Sequence, residues 1–324
     1  MQTGSVVVVA HNSGEQVEDC LRALGGHRGW EVIVIDNASR DDTLQRARHF
    51  ACARIVANQV NRGFAGAVNQ GVALAASDVL VILNPDAIPT EGALDALAEA
   101  LRNTGAAAAG GLLLTTSGQV QRGMVVRRFP GLGSMLCEVL LINRLWPGNA
   151  CNRSYRCLDL DYTRAQVVEQ PAGAAMAFTR AAWQAVGGFD EGFYPVWFED
   201  VDFCRRLHER GNSIIFCPQA VFRHAGGHSV VQVHFRERQM YWYGNLLRYF
   251  QKHHAGWRVS VLRFGLTCGM LLRSIATLLA GSAEVGRWTA VAFYLQIAWR
   301  YGLRRVPSPA PRPAVVPASS RVPS

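Results

Sequence analysis

The stretch SVVVVAHNSGEQVEDCLRALGGHRGWEVIVID, residues 5–36, decides the fold class of this chain. Its two ends, SVVVVA and EVIVID, are continuous β-branched apolar runs of strand length. Between them, Glu15 to Leu24 follows an Asn-Ser-Gly turn and has the character of a helix. The stretch therefore predicts a strand, a helix and a second strand, the β-α-β unit of a parallel sheet.

The same alternation continues to about residue 84. SRDDTLQRARHF offers Ser39 as the N-cap of a helix, ARIVAN is a third strand, GAVNQGVALAA is a further helix, and VLVILN is a fourth strand. Strands that are apolar throughout and interleaved with helices indicate a mainly parallel sheet covered on both faces. We therefore predict an α/β fold whose ligands bind beyond the carboxyl ends of the strands.

Polar residues follow all four predicted strands. The clusters are His11 to Ser13, Asp36 to Ser39, Asn58 with the following NRGFAGAVNQG, and Asn84 to Ala87. Turn and cap formation explains any one of them, but it explains four on one sheet edge less well. A carboxylate that follows an apolar strand, as Asp36 and Asp86 do, needs solvent or a ligand partner. A nucleotide together with a metal ion would supply partners for both carboxylates.

Composition and charge limit the classes of function. The 324 residues are 49% hydrophobic, which supports a substantial core in one large domain or two smaller ones. The net charge of +9 favours anionic partners, but the basic residues follow no nucleic-acid-binding motif, so we expect no nucleic-acid partner. The eight cysteines show no metal-finger spacing, and no secretory signal is visible. Reduced, mostly buried thiols and a cytoplasmic location are therefore expected.

Six segments together resemble glycosyltransferase family 2, whose members have the nucleotide-sugar-binding GT-A fold. They are VVVVAHNS, VIVIDNASRDDT, NRGFAGAVNQG, VLVILNPDA, GAAMAFTRAAWQAVGGFDEGFYPVWFEDVDFCRRL and RHAGGHS, and they occur in the family's order from about residue 5 to 230. NRGFAGAVNQG and NPDA resemble the rhamnosyltransferase-like branch, which builds bacterial surface polysaccharides. The resemblance implies a Rossmann-like sheet flanked by helices and a nucleotide-sugar donor.

The resemblance assigns a donor site and a metal site to the strand ends. Asp36 matches the acid that contacts the base or ribose of the donor nucleotide. Asp86 matches the second acid of the family's metal motif, in which Asn84 here replaces the first. A Mg²⁺ or Mn²⁺ ion would therefore need another ligand, and the resemblance implies His224, with His228 as the competitor.

Further donor contacts are expected near these strand ends. His11 and Asn12 follow the first strand. Gly63 could cradle a phosphate with which Arg62 pairs, and Asn61 lies beside them. Gly173, in QPAGAAMAF, lies where the backbone could approach the donor sugar, with tight packing of a helix on the sheet as the alternative.

The segment PVWFEDVDFCRRLHERG, residues 195–211, carries the expected catalytic base. Spacing by three and four places Val201, Cys204, Leu207 and His208 on one helical face, with Asp200 at or just before the first turn. Read as a structural residue, that acid would be a cap or a helix-dipole acid. In the resemblance it matches the general base of inverting members, which removes a proton from the acceptor hydroxyl.

Acceptor contacts are expected from the residues that precede this base. They are Trp197, Phe198 and Glu199. Core packing is the alternative for the two aromatic side chains. An aromatic wall beside the base would also desolvate its carboxylate and raise its proton affinity.

The chain is divided into a catalytic domain (1–235), a helical extension (236–305) and a Pro/Ala/Ser-rich tail (306–324) that we expect to be disordered. Uncharged runs on either side of Arg273 are too short for a transmembrane helix. Basic residues interleaved with aromatic ones suit peripheral contact with an anionic membrane, and they are Arg248, Lys252, Arg258, Arg263 and Arg273. Packing on the catalytic domain, or on a second copy in a homodimer, is the alternative.

These expectations combine into one function. The resemblance implies an inverting, metal-dependent transfer of a sugar, L-rhamnose from dTDP-rhamnose, to a hydroxyl of a saccharide or polyprenyl-linked acceptor in bacterial cell-envelope polysaccharide synthesis. A degenerate GT-A protein that binds a nucleotide sugar, or that scaffolds a membrane assembly, is the alternative. A nucleotidyltransferase would show a glycine-rich signature with Lys or Arg after the first strand, where this chain has AHNSGEQ.

Overall fold

A computed structural model describes residues 3–226, 234–281 and 285–304. The strands are β1 (Gly4–Ala10), β2 (Trp30–Asp36), β3 (Ala53–Ala57), β4 (Val79–Leu83), β5 (Ala87–Pro89), β6 (Ala108–Leu114), β7 (Val126–Arg127), β8 (Gln166–Val167), β9 (Gln170–Pro171), β10 (Ala175–Thr179) and β11 (Ile214–His224). The helices are α1 (Gly14–Leu24), α2 (Thr43–Ala47), α3 (Gly63–Leu74), α4 (Ala93–Thr104), α5 (Leu132–Val139), α6 (Ile142–Leu145), α7 (Ala150–Tyr155), α8 (Arg180–Val186), α9 (Glu199–Glu209), α10 (Phe235–His253), α11 (Gly256–Ala280) and α12 (Arg287–Ile297), followed by a π-helical segment, Ala298–Leu303.

A nine-stranded sheet forms the centre of the molecule, in the order β3-β2-β1-β4-β10-β6-β11-β5, with β8 paired to β11. Strands β3, β2, β1 and β4 are parallel, and β10 runs antiparallel to both of its neighbours, β4 and β6. The apolar runs of β1 and β2 are fully buried at Val7 and Val34, because both faces of the sheet are covered. The expected α/β fold, a mixed and mainly parallel sheet flanked by helices, is confirmed.

Two details of the predicted helices are wrong. Ser39 does not cap a helix: its Oγ accepts a hydrogen bond from the Asn12 backbone N–H (2.9 Å), and α2 begins later, at Thr43. In α9, His208 is exposed, whereas Asp202 is fully buried on the inner face. A charged side chain takes that face because Arg206 and Lys252 pair with its carboxylate.

The cysteines are less buried than the sequence predicts. All eight are free thiols, and all lie within the described residues. Cys20, Cys204 and Cys217 are buried, whereas Cys52 and Cys151 are exposed. The expectation that most of them are buried is therefore wrong, because the others lie on peripheral turns and helices rather than in the sheet core.

A second hydrophobic core joins the C-terminal helices to the segment that precedes α9. Phe193 and Phe198 pack there with Tyr249 and Phe250 of α10 and Met270 of α11. This core is separate from the large core around the sheet. Helix α10 is therefore fixed against the segment that carries the acids of the predicted site.

Helix α11 is the one helix in the described ranges that is long and apolar enough to cross a membrane, by length and composition alone. The short uncharged runs on either side of Arg273 predict no such helix, because each run alone is too short to span. In the fold, that guanidinium donates to the Glu138 carbonyl (3.3 Å), and Arg263 donates to the Gly302 carbonyl (3.1 Å). In the apolar window, 39% of the residues are buried inside the protein. Core helices pass the same test of length and composition.

Four of the five basic residues that were expected to meet lipid headgroups are engaged in the protein. Besides Arg263 and Arg273, Arg248 pairs with Asp190, and Lys252 pairs with Asp190 and Asp202. Arg258 alone of the five is exposed without an ion pair in the described part of the chain, and its guanidinium lies over the ring of the adjacent tryptophan. The other four have partners inside the protein, and contact of any of the five with lipid headgroups remains a prediction.

Candidate functional site

The sheet register brings the predicted polar residues to one edge. Ala10 pairs with Asp36, and Val8 pairs with Leu83, so the loops after β1, β2 and β4 emerge side by side. The antiparallel strand β10 begins at the same edge, where Ala175 pairs with Leu83. On the far side of the sheet, His224 pairs with Ala87. The edge therefore collects residues that are far apart in the sequence.

Asn37 organises the donor side of this edge. Its Nδ2 donates to Asn61 Oδ1 (3.0 Å) and to the Gly63 carbonyl (3.2 Å), and its Oδ1 accepts from the Arg62 N–H (2.9 Å). The predicted donor residues 61–63 are thus held against the end of β2. The sequence analysis assigned Asn37 no role, although its place directly after Asp36 was a usable signal.

His11 and Asn12 hold the loops after β1 and β2 together. The ring Nδ1 of His11 lies 3.0 Å from the Asn37 carbonyl, which can only accept, so this nitrogen donates. Asn12 has a positive φ of 49°, and its Oδ1 accepts from the Arg40 N–H at 2.8 Å. The contacts that the structure gives these two side chains are structural, and their part in donor binding remains a prediction.

Asp36 has a buried acceptor atom. The residue is 2% exposed, and its Oδ1 has no hydrogen-bond partner among the described residues. A buried carboxylate oxygen left without a partner is costly, so such an atom in a native fold calls for an explanation. A hydroxyl or N–H donor from a bound molecule would satisfy it.

Asp86 and His224 lie together at the far side of the edge, as the metal-site prediction requires. Both are buried, and His224 Nε2 lies 3.5 Å from Asp86 Oδ1. The backbone joins them as well, because the Ala225 N–H donates to the Asp86 carbonyl (3.2 Å). An imidazole nitrogen and a carboxylate oxygen are ligands that suit Mn²⁺ and similar cations.

The protein supplies few other ligands at this point. In the parts of the chain that the structure describes, no group of three or more His, Cys, Asp or Glu side chains is placed to hold a metal ion. Asn84, at the position of the missing acid, makes backbone hydrogen bonds, donating to the Ala174 carbonyl at 2.9 Å. His228 lies outside the described residues. The pair therefore fits a cation whose other ligands come from a bound diphosphate or from water.

A two-residue turn connects this pair to the predicted base. Ala174 accepts from the Asn84 N–H, and the preceding Gly173 donates its N–H to Asp200 Oδ2 (3.0 Å). A Cβ at position 173 would lie 2.9 Å from the same oxygen. Gly173 was expected at the donor sugar, and the contact that the structure gives it is with the base.

The three neighbouring acids have different proton affinities. Burial raises the pKa of Asp200, and the N–H groups of Gly173 and Val201 offset part of that rise. Burial, followed by the negative charge of Asp200, raises the pKa of Glu199 well above its usual range. Burial alone would raise the pKa of Asp202 too, but hydrogen bonds and charges from His253, Arg206 and Lys252 lower it. The carboxylate of Asp202 is therefore held ionised by cationic side chains of the protein itself.

The segment before α9 is held in an unusual conformation. Trp197 and Phe198 have φ values of 77° and 74°, a left-handed region that is costly for side chains of this size. Asn245 of α10 fixes the segment by donating to the Tyr194 and Val196 carbonyls (3.3 and 2.8 Å). The sequence analysis did not identify this contact, because 49 or more residues separate the partners.

The two expected acceptor aromatics are placed differently. Phe198 is buried in the second core, with ring centroids 6.1 Å from Trp242 and 5.8 Å from Tyr249. Core packing, the alternative left open for it, describes its position. Trp197 is half-buried and packs at the margin of the same core. Its role toward an acceptor, like that of the buried Glu199, remains a prediction.

Comparisons with known proteins find matches along most of the chain. Residues 5–157 match the model for "Glycosyl transferase family 2", and residues 155–303 match that for "Glycosyl transferase family group 2". The chain is 28% identical over 297 residues to the N-acetylglucosaminyl-diphospho-decaprenol L-rhamnosyltransferase of Mycobacterium tuberculosis, covering 83% of this chain and 91% of that protein. A shorter match, 29% identity over 115 residues, is to the glycosyltransferase AglE of Haloferax volcanii.

Solved structures show the same fold. A mannosyltransferase from Pyrobaculum calidifontis, in complex with GDP-Man and Mn²⁺, superposes with a TM-score of 0.52 at 19% identity, over 91% of this chain and 80% of that one. GalNAc-T7 with UDP, GalNAc and Mn²⁺ gives 0.50 at 17% identity, over 68% and 43% of the two chains. With both family models matched in sequence along the chain, and with this fold, the protein belongs to glycosyltransferase family 2 and is similar to its rhamnosyltransferases.

Proposed function

We propose that this glycosyltransferase moves L-rhamnose from a nucleotide diphosphate donor, dTDP-rhamnose, to a hydroxyl of a lipid-linked saccharide with inversion at the anomeric carbon. The observation that carries the proposal is the turn at Gly173 and Ala174, which bonds to Asp200 on one side and to the Asp86 loop on the other. The similarity to an L-rhamnosyltransferase whose printed name contains a diphospho-decaprenol acceptor supports the sugar and the lipid.

Asp200 is the proposed general base. The N–H groups of Gly173 and Val201 each bond to a different one of its oxygens (3.0 and 2.8 Å), which fixes the carboxylate plane. Its raised pKa makes it a better proton acceptor than an exposed aspartate. As the proton passes to it, the acceptor oxygen bonds to the anomeric carbon and the bond to the diphosphate oxygen breaks. One such displacement inverts the anomeric centre.

Asp86 and His224 are the proposed holders of a divalent cation, which when bound would offset the charge that develops on the departing diphosphate. The remaining donor contacts are proposed for the opposite end of the edge. There Asp36 offers a buried oxygen without a partner, and residues 61–63, held by Asn37, lie at the N-terminus of α3. A helix N-terminus favours a phosphate group.

A panel of nucleotide sugars tests the reaction. The protein is incubated with dTDP-rhamnose, UDP-hexoses or GDP-sugars, a lipid-linked saccharide acceptor, and Mg²⁺ or Mn²⁺. We expect release of dTDP that depends on the acceptor and on the cation, and a product of inverted configuration. If nucleoside diphosphate is released from a different donor, the proposed sugar is wrong. If a chelator leaves the reaction unchanged, the proposed role of the cation is wrong.

A degenerate nucleotide-sugar binder is the second candidate, and the observation that favours it is Asn84 at the position of the first metal acid. The same panel separates the two functions. Donor binding by calorimetry, without release of nucleoside diphosphate under any condition, would establish the binder. Acceptor-dependent release would exclude it.

We also propose that the protein is peripheral to the cytoplasmic face of a bacterial membrane. Helix α11 carries exposed apolar side chains at helical spacing, and the segments after it add more. This apolar face consists of Trp257, Val261, Phe264, Leu271, Leu272, Ile275, Leu278, Leu279, Trp288, Leu295, Trp299 and Leu303.

Charge favours a lipid surface as the partner of this apolar face. Its exposed basic residues are Arg258, Arg287, Arg300 and Arg304, and mixed Arg, Trp and Leu is the composition of helices that lie in an anionic interface. The free thiols suit the reducing side of the membrane. A polyprenyl-linked acceptor would be presented there.

A further inference from the structure

Gln121 contacts His224 with both ends of its side-chain amide. Its Nε2 donates to the His224 carbonyl (2.7 Å), and its Oε1 lies 2.8 Å from the ring Nδ1 of the same residue. Gln121 is itself fixed at the end of β6, because its N–H donates to the Leu113 carbonyl at 3.0 Å. One side chain therefore holds the backbone and the ring of the proposed metal ligand.

These two contacts determine where the ring proton lies. A carbonyl oxygen only accepts hydrogen bonds, so the NH₂ end of the Gln121 amide must face the His224 backbone and the amide oxygen must face the ring. An amide oxygen also only accepts, so ring Nδ1 must carry a hydrogen. A neutral imidazole has one N–H, and its Nε2 therefore keeps the lone pair. That nitrogen is the one 3.5 Å from Asp86 Oδ1.

The other tautomer would close the site. With the hydrogen on Nε2, the ring would donate a hydrogen bond to Asp86. Both proposed ligand atoms would then be occupied by that hydrogen bond and could not bind a cation. With the hydrogen on Nδ1, an imidazole lone pair and a carboxylate oxygen face one another, and a cation between them satisfies both. Partners of the second ring nitrogen set ligand geometry in this way in metal sites generally.

We infer that Gln121 is a positioning residue that holds His224 in the tautomer able to share a divalent cation with Asp86. The inference rests on the proposed metal site and adds to it a residue 103 positions earlier in the chain. No pattern around Gln121 in the sequence indicated this role. Gln119 serves as a matched control, because it is exposed in the same turn. Among the described residues, its side chain makes no hydrogen bond like those of Gln121.

The first test measures Mn²⁺ affinity from the electron paramagnetic resonance signal of the free ion. We expect Gln121→Leu to weaken binding roughly tenfold to a hundredfold, and Gln119→Leu to leave it unchanged. Gln121→Glu, which can still accept from Nδ1, should recover most of the loss. Thermal unfolding of each variant checks that the fold persists, and the Gln121→Glu result keeps the test decisive if the Leu variant is unstable.

The second test reads the tautomer directly in the metal-free protein. Long-range ¹H–¹⁵N spectra of histidine-labelled protein should show His224, assigned by its loss in His224→Ala, with a protonated Nδ1 and an unprotonated Nε2. The opposite pattern would overturn the inference. If His224→Ala weakens Mn²⁺ binding and Gln121→Leu does not, the inference alone fails. If His224→Ala leaves binding unchanged, the proposed metal site fails with it.

Discussion

At the scale of single residues, Asp200 differs from its acidic neighbours in what surrounds its carboxylate. Asp202 faces Arg206 Nε at 2.7 Å and Lys252 Nζ at 2.8 Å, so its charge is already neutralised. Glu199 is buried, and its raised pKa favours the protonated form. Among the described residues, the hydrogen bonds to the Asp200 carboxylate come from the backbone N–H groups of Gly173 and Val201, which orient it without forming an ion pair. It is therefore the acid of the three that retains basicity.

Replacement of Asp200 by asparagine should reduce transfer by about a hundredfold or more while donor binding persists, because the amide keeps the shape but accepts no proton. In the wild-type enzyme, kcat/KM should rise with pH through a limb above the usual aspartate value of 3.8, since burial raises the pKa of Asp200. The limb should be absent from the variant. Asp159→Asn, on an exposed ion pair with Arg153, is the control. Near wild-type transfer by the variant would place the base elsewhere.

Gly173→Ala should displace the base without removing it. The added Cβ would lie 2.9 Å from Asp200 Oδ2 and 3.0 Å from its Cβ, so the carboxylate must move. A shift of about 1 Å can cost on the order of a hundredfold in rate, and we expect kcat to fall by about tenfold or more. Gly133→Ala, where a Cβ meets nothing within 4 Å, is the matched control. Equal rates for the two variants would contradict this geometry.

At the scale of elements, helix α10 fixes the parts of the site that lie between β10 and α9. Asn245 bonds to the segment before α9, and Arg248 and Lys252 bond to Asp190 at 3.0 and 2.9 Å. Lys252 also reaches Asp202 within α9. The helix is thus joined to the catalytic half by polar contacts as well as by the second core. Arg248 and Lys252 both take part in this junction.

The junction predicts a pH dependence of stability. Burial alone would raise the pKa of Asp190, but bonds from Lys252, the Gly192 N–H and Arg248 lower it to about 2. A lowered folded-state pKa gives stability that is present above the unfolded value of 3.8 and is lost as pH falls toward 2. After allowance for solvent screening, this is about 1 kcal/mol.

Urea unfolding of the wild type and of Asp190→Asn at several pH values measures this contribution. We expect the variant to be less stable by about 1 kcal/mol near pH 6, with the difference shrinking below about pH 4. Asp159→Asn should give a smaller, flatter difference, because its ion pair with Arg153 is exposed. A gap that stays constant down to pH 2 would show that the charge on Asp190 is not its source.

The elements that the sequence predicted well are those whose signal is local. The runs of β1, β2 and β4 and the helices α1 and α3 were recognised within a few residues, because apolar periodicity and turn residues lie in the same stretch. The contacts of Gln121, Asn245 and Asp202 could not be found in this way. Each depends on a partner 49 or more residues away, and nothing in a single sequence reports such a pairing.

At the scale of the whole molecule, two hydrophobic cores meet at the site. The apolar face of the C-terminal helices is left exposed. The sheet core carries the donor edge, and the second core carries α10 to α12 and the segment before α9. The apolar face lies on these C-terminal helices, on the same body as the acceptor segment. Large apolar side chains exposed in such number on neighbouring helices favour a partner for this face. The hydrogen bonds that Arg263 and Arg273 donate to the Gly302 and Glu138 carbonyls show that one side of α11 packs on the protein.

Flotation with phosphatidylglycerol-containing liposomes tests the membrane proposal on the full chain. The variant combines Phe264→Ser, Leu279→Ser and Trp288→Ser, at positions that are 72%, 81% and 74% exposed, so the fold should tolerate it. The control combines Val60→Ser and Val167→Ser, which are 69% and 71% exposed but lie outside the apolar face. Because each apolar side chain contributes about 1.5 kcal/mol or more when buried, liposome binding by the variant should fall by about tenfold or more.

Salt and oligomeric state decide between the three partners that this apolar face could have. A peripheral helix on anionic lipid should be released partly as salt rises, because screening shortens the reach of Arg258 and Arg287. A helix that spans the bilayer would resist both salt and alkaline extraction. If instead the wild type does not float, and sedimentation shows a dimer that the triple variant dissociates, a second copy covers the face. Arg263 and Arg273 make the first outcome the expected one, since a spanning helix would have to carry both guanidinium groups into the hydrocarbon.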